Sequence, residues 1–216
     1  PTMPVEDYPQ LPTMPEVTGS AQVEAFSEAV SQVVVAAGKD DTLPMLTGIR
    51  MEIEGSRVTL IATDRFRLAI RDFEWEPARE DVAVEVLIPA KALSEVTRSA
   101  GGGGRVDLSL GAGSKIGAEG ILGVLVSGQR TTPRLLDAEF PKVRQLLPPQ
   151  HTSVAVVEVD PLVQAIKRVA LVADRGVQVR LAFTEGEVAL SAGGDGAAQA
   201  NETLPVEFVG APMTIA

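Results

Sequence analysis

The chain repeats itself. The segment EAVSQVVVAA, which starts at Glu28, lies over QAIKRVALVA, which starts at Gln164. Likewise IRMEIEGSRVTLIA, from Ile49, lies over VRLAFTEGEVALSA, from Val179. The offsets are 136 residues in the first pair and 130 in the second, so the first copy carries a longer loop between its two segments. Self-similarity over so long a period marks a chain assembled from one supersecondary unit used several times. A lone unit cannot bury its own apolar face, so the copies must pack against one another.

The unit is a helix followed by a strand meander. From Ser20, the apolar positions Val23, Phe26, Val30, Val33, Val34 and Ala37 recur at helical spacing, and Gly38 stands where a helix-ending glycine belongs. The stretch from Thr47 to Trp75 then alternates like strands, with a hairpin turn at Glu54-Gly55-Ser56 and a reversal at Asp64-Arg65. A second unit follows: IPAKALSEVTRSA with Pro89 in the first helical turn and Leu93 and Val96 on one face, a Gly101 to Gly104 loop, and strands in RVDLSL, SKIGAE and ILGVLVSG. After the proline-rich FPKVRQLLPPQHT comes a strand in SVAVVEV. Asp160 as N-cap and Pro161 at the first position open a third helix, with Leu162, Ile166, Val169, Ala170 and Ala173 facing inward.

A chain of 216 residues, 45% of them hydrophobic, can bury real cores. The absence of cysteine excludes a disulfide framework, a thiolate metal site and a cysteine nucleophile, and fits a cytoplasmic setting. No apolar run is long enough for a membrane helix. The opening PTMPVEDYPQLPTMP, with its five prolines and no initial methionine, reads as a linker within a longer protein. A formal net charge of −10 excludes a protein that coats phosphates indiscriminately, so any contact with nucleic acid must be local.

Little of the sequence resembles catalytic chemistry. AGGGGR, GAGSK and AGGDG lack phosphate-loop spacing and read as hairpin loops. His151, the single histidine, lies in the proline-rich linker, without partners for a triad or a metal site. Asp64 reads as a turn residue whose side chain bonds nearby amides. A hydrolase built on Asp64 and His151 would lack a third partner. Asp40 and Asp41 read as a solvated loop, and the Asn201 sequon carries no weight without secretion. No catalytic residue, metal ligand or cofactor is expected.

The most distinctive stretch is IATDRFRLAIRDFEW, Ile61 to Trp75, where Arg65, Arg67 and Arg71 alternate with Phe66, Leu68 and Ile70. A period of two sends the three apolar residues to one face and the arginines to the other. ATDRFRLAIRDFEW, then VLIPAKAL, then RLLDAEFPKVRQLLP, in that order, resembles the bacterial DNA polymerase III beta subunit family, the sliding clamps. DDTLPMLTGIRMEIEGSRVTLIATD and the linker LPTMPEV extend the resemblance over essentially the whole chain.

That resemblance implies an α+β DNA-clamp fold of repeated helix-plus-meander units, with sheets outside and helices inside. Residues 1–19 become an interdomain linker, 20–147 a complete middle domain, 148–152 a second linker, and 153–216 the first half of a third domain. It implies a non-enzymatic processivity factor: a homodimeric ring that encircles duplex DNA and tethers the polymerase III alpha subunit, the clamp loader and other proteins bearing a clamp-binding motif. Peptide-binding positions implied by the motifs are Leu46, Thr63, Arg65, Phe66, Arg67, Leu68, Pro141, Gln145 and Leu146. Many relatives have glycine where Arg65 stands and arginine where Gln145 stands. Lys91, Arg98, Lys167 and Arg168, which from the residues alone are a solvated helix face, become candidates to face DNA. The charge balance admits a second reading, a stand-alone α+β protein-binding module without a DNA role.

Overall fold

A computed structural model describes residues 4, 14–110, 120–173, 178–193 and 198–216. The chain divides between Val143 and Arg144 into two compact units.

The first unit opens with strand β1 (Gly19–Gln22) and helix α1 (Val23–Val34). The expected helical residues Ser20 to Gln22 are instead extended, because their backbone groups belong to a ladder with β7 (Arg105–Leu110). Within α1 the apolar period holds, with Val23, Phe26, Ala29, Val30 and Val33 buried. A single helical turn, α2 (Pro44–Thr47), precedes β2 (Gly48–Glu54), β3 (Arg57–Thr63), β4 (Leu68–Glu74) and the short β5 (Glu76–Pro77). The second repeat runs β6 (Ala83–Pro89), α3 (Ala90–Ser99), β7, β8 (Leu122–Val126) and β9 (Gln129–Thr131). Pro89 ends the strand rather than starting the helix, while Leu93 and Val96 are buried as their spacing requires. SKIGAE and GAGSK lie outside the described residues.

The two repeats interlock through their lead-in strands. β1 pairs antiparallel with β7 of the second repeat, and β6 pairs antiparallel with β2 of the first. The resulting sheets have the orders β5-β1-β7-β8-β9 and β4-β3-β2-β6. Each repeat thus lends a strand to the other's sheet, which is why neither is a domain by itself. One apolar core joins both helices to both sheets, including Phe26, Met51, Leu60, Leu93 and Leu108. Close packing fixes Gly19: a Cβ there would lie 2.5 Å from the Trp75 ring and 2.8 Å from the Glu76 carbonyl oxygen. The Trp75 indole N–H donates to the Gly55 carbonyl at 2.8 Å, which ties β4 to the β2–β3 turn.

The second unit repeats this order: β10 (Val154–Val156), α4 (Val159–Val169), β11 (Arg180–Thr184), β12 (Glu187–Ala192), β13 (Ala200–Pro205), β14 (Glu207–Val209) and β15 (Met213–Ile215). β10 pairs with β14 as β1 pairs with β5, and β15 pairs with β11 as β6 pairs with β2. Its core is a small cluster around Ala165, Val169, Val188 and Leu190. Val159, the counterpart of Val23 in the repeat, is 69% exposed where Val23 is 2%. The helix is capped two residues earlier than expected, at Glu158, so Asp160 and Pro161 sit inside its first turn, and Ala170 is exposed rather than inward.

Candidate functional site

The sheet β4-β3-β2-β6 is covered on both faces. Val58, Leu60 and Ala62 of β3 turn toward the helices. On the other face Ile61 and Leu87 join Phe140 and Val143 in a second cluster, with Met45, Leu68, Ile70 and Leu136 half-buried against it. The Leu136 amide donates to the Leu87 carbonyl at 2.8 Å and anchors the returning chain to this face. Beside the cluster opens a cleft of about 570 Å³. Leu43, Met45 and Leu46 line it from the α2 turn, Arg65 from the turn after β3, and Glu139, Phe140, Pro141 and Lys142 from the returning chain. Its size falls within the roughly 300–1,000 Å³ of pockets that hold small molecules or side-chain anchors.

The turn between β3 and β4 is built by its own side chains. Asp64 Oδ1 accepts the amides of Phe66 and Arg67, each at 3.1 Å, and Oδ2 accepts Arg67 Nε at 2.9 Å. Thr63 Oγ1 accepts the Arg65 amide at 3.2 Å and donates to the Arg67 carbonyl at 2.7 Å. The Arg67 guanidinium, followed by the two amides, holds the Asp64 carboxyl below the usual carboxylate range. Asp64 is therefore the turn residue its position suggested, with both oxygens engaged. Strand pairing resumes only at Leu68, so Phe66 leaves the alternation expected of RFRLAIR. It stands 91% exposed, while Leu68 and Ile70 are half-buried.

Of the positions implied for peptide binding, Leu46, Arg65 and Pro141 line the cleft directly. Phe66 and Arg67 project from the same turn, and Thr63 and Leu68 support it from below. Gln145 and Leu146 fall in the second unit, exposed on the 3-10 turn Val143–Leu146. The sequence reading missed Leu43, Met45, Glu139, Phe140 and Lys142, which flank the chosen positions. Arg50 supports this wall too. It bridges Glu52 at 2.7 Å and Glu85 at 2.8 Å, and its guanidinium lies 5.9 Å from the Phe140 ring centroid.

The helix cations differ among themselves. Lys91 and Lys167 are exposed, and among the described residues neither has an ion-pair partner. Arg98 folds back on its own helix, with Nε donating to the Ser94 carbonyl at 3.2 Å. Arg168 is gripped by Glu202 on β13, with Nε 3.0 Å from Oε2. His151 is exposed in an irregular segment. Among the described residues no three His, Cys, Asp or Glu side chains gather to hold a metal, and no helix is long and apolar enough to cross a membrane.

Family models match both parts of the chain. The model described as DNA polymerase III beta subunit, central domain, covers residues 21–142, and the one described as its C-terminal domain covers 144–216. The chain belongs to the DNA polymerase III beta subunit family. It is 49% identical over 215 residues to the beta sliding clamp of Streptomyces coelicolor, covering 100% of this chain and 57% of that protein. It is 47% identical over 204 residues to the beta sliding clamp of Micrococcus luteus, covering 94% of this chain and 64% of that protein. This beta-subunit chain thus spans less than two thirds of the length of either relative. The fold agrees with crystal structures of the DNA polymerase III subunit beta from Pseudomonas aeruginosa (24% identity, TM-score 0.84, 99% of this chain and 57% of that one) and of the sliding clamp from Bacillus subtilis (24%, 0.87, 98% and 55%). The α+β clamp fold implied by the resemblance is the fold this beta-subunit chain has.

Proposed function

We propose that the chain is part of a sliding clamp: a homodimeric ring that encloses duplex DNA and tethers replication proteins through the cleft beside Arg65. The observation that carries the docking half of this reading is the cleft itself, an apolar floor edged by an exposed, self-locked turn within the family's central domain. An extended peptide with large apolar side chains fits such a site, since anchors fill the pocket and polar rim atoms set orientation. The polymerase III alpha subunit and the clamp loader are the proposed owners of such peptides, and the cytoplasm the proposed setting.

The DNA half of the reading follows from topology. A closed ring holds duplex without tight binding, so a few weak phosphate contacts suffice and strong ones would impede sliding. A chain of net charge −10 with sparse helix cations suits that task. The ring works by binding and does no chemistry on its partners.

Fluorescence polarisation with a labelled Gln-Leu-x-Leu-Phe peptide tests the cleft. Phe66→Ala and Arg67→Ala, both at exposed positions, each weaken binding by about ten-fold while the fold is retained. Equal affinity of both variants and the wild type removes the cleft from the reading.

A further inference from the structure

The helices carry different charge at matching positions. In the repeat register Ser31 and Gln32 of α1 lie over Lys167 and Arg168 of α4, and Glu24 lies over Asp160. Arg98 stands in the last turn of α3, and Lys167 and Arg168 in that of α4, whereas the last turn of α1 has no basic residue. Ser31 and Gln32 are exposed and turn back on their own helix. The Ser31 hydroxyl donates to the Glu28 carbonyl at 2.8 Å, and Gln32 Nε2 donates to Glu28 Oε1 at 3.0 Å. The charged residues of α1 are therefore two exposed carboxylates, Glu24 and Glu28.

Packing does not dictate this pattern. α1 and α3 lie side by side over one core through Phe26, Val30, Leu93 and Val96, which leaves the exposed positions open to any polar residue. Helix stability does not dictate it either. A carboxylate in the first turn favours the helix dipole, as Glu24 does, but a cation in the last turn favours it equally, and α1 keeps only the sign that repels phosphate. Glu28 meets Arg71 of β4 at 3.6 Å in a half-exposed pair, which offsets part of its charge. Glu24 is exposed and has no ion-pair partner among the described residues.

We infer that α1 is a helix of the ring's lining that does not grip: Glu24 turns the phosphates of an enclosed duplex away, and positions 31 and 32 offer them no cation. Within the first unit the attraction then comes from α3, through Lys91 and Arg98. This rests on the ring reading proposed above and adds which helix holds the duplex and which one repels it. A ring that slides gains from such alternation, because every further cation that meets a phosphate tightens the hold and steepens its salt dependence.

The test uses a full-length clamp carrying these residues, with retention on linear duplex measured across a salt series. Glu24→Gln, which keeps the size and removes the charge, raises retention about two-fold at low salt, and the gain fades as salt rises. Ser31→Lys steepens the slope of log affinity against log salt by roughly 0.9, and Gln32→Lys repeats that result from a neighbouring exposed position. A slope unchanged in both lysine variants puts α1 out of reach of phosphate and overturns the inference. A steeper slope in those variants with Glu24→Gln indistinguishable from the wild type overturns the repulsion assigned to Glu24, and the inference with it. Both of these results leave the ring reading standing; a wild-type clamp that is not retained even on closed circular duplex overturns that reading itself.

Discussion

Asp64 and Arg67 form one closed unit: a single carboxylate accepts the Arg67 guanidinium on one oxygen and the Arg67 and Phe66 amides on the other. The exposed Phe66 therefore stands on a turn that is rigid before any partner arrives. Asp64→Asn keeps the amide acceptor, whereas Asp64→Ala removes it. Hydrogen exchange at the Phe66 and Arg67 amides should stay slow in the first variant and accelerate in the second. The pH dependence has a definite sign. Because the folded carboxyl lies below its ordinary value of about 3.9, its stabilisation of the turn is fully present above that value and is lost as pH falls through the lower, folded one. Shifts of the two amide resonances should titrate with a midpoint below about 3.9, and a midpoint at or above it contradicts the assignment.

Arg50 answers a conflict in the ladder. Glu52 and Glu85 are directly opposed in the β2–β6 register, where like charges repel. Arg50 bridges them and also lies over Phe140 in the cleft wall. Arg50→Met should destabilise the first unit by about 1–2 kcal/mol. Adding Glu85→Gln should recover part of that loss by removing the repulsion. The single tryptophan, Trp75, lies in this unit, so its fluorescence during urea unfolding reports the change selectively. A double variant no more stable than Arg50→Met refutes the bridging role.

Two glycines should respond in opposite ways. At Gly19 a methyl group meets the Trp75 ring and the Glu76 carbonyl, a backbone atom that cannot swing aside. Gly19→Ala should cost about 1–3 kcal/mol and shift the Trp75 emission, because the β1–β5 pairing must yield. Gly102 lies in the loop after α3 with nothing within 4 Å of an added Cβ. Gly102→Ala should stay within about 0.5 kcal/mol of the wild type. Equal effects at the two sites would show that contact with Trp75 does not explain Gly19.

Elements held by local periodicity were legible in the sequence. The buried stripe of α1 and the β2–β3 hairpin both follow from spacing alone, and the repeat carried them into α4 and the β11–β12 hairpin. Phe66 was misread because alternation assumes that backbone amides serve the ladder. Here the Thr63 and Asp64 side chains take the amides of residues 65 to 67, and the strand cannot begin before Leu68. The start of α4 was misread because Asp160 is a good cap by type, yet no side chain caps this helix. Phe140 and Lys142 escaped notice in the cleft because their place there depends on how the returning chain crosses a distant sheet, which no local pattern encodes.

The helix cations, read as equivalent from the sequence, should separate in their effect on DNA. Arg168 is held by a carboxylate 34 residues away, so its charge is already compensated within the chain. Lys91 and Lys167 are exposed, with no ion-pair partner among the described residues. If these helices face duplex DNA, each free lysine that meets a phosphate contributes roughly 0.9 to the slope of log affinity against log salt. In a full-length clamp carrying these residues, Lys91→Ala and Lys167→Ala should each lower that slope by about one unit, uniformly across DNA sequences. Arg168→Ala should lower it less, because the charge it removes is already balanced by Glu202. Retention on linear duplex across a salt series measures all three. An Arg168→Ala effect as large as that of the lysines would mean that DNA displaces Glu202, and slopes unmoved by either lysine variant would remove both lysines from the proposed DNA contact.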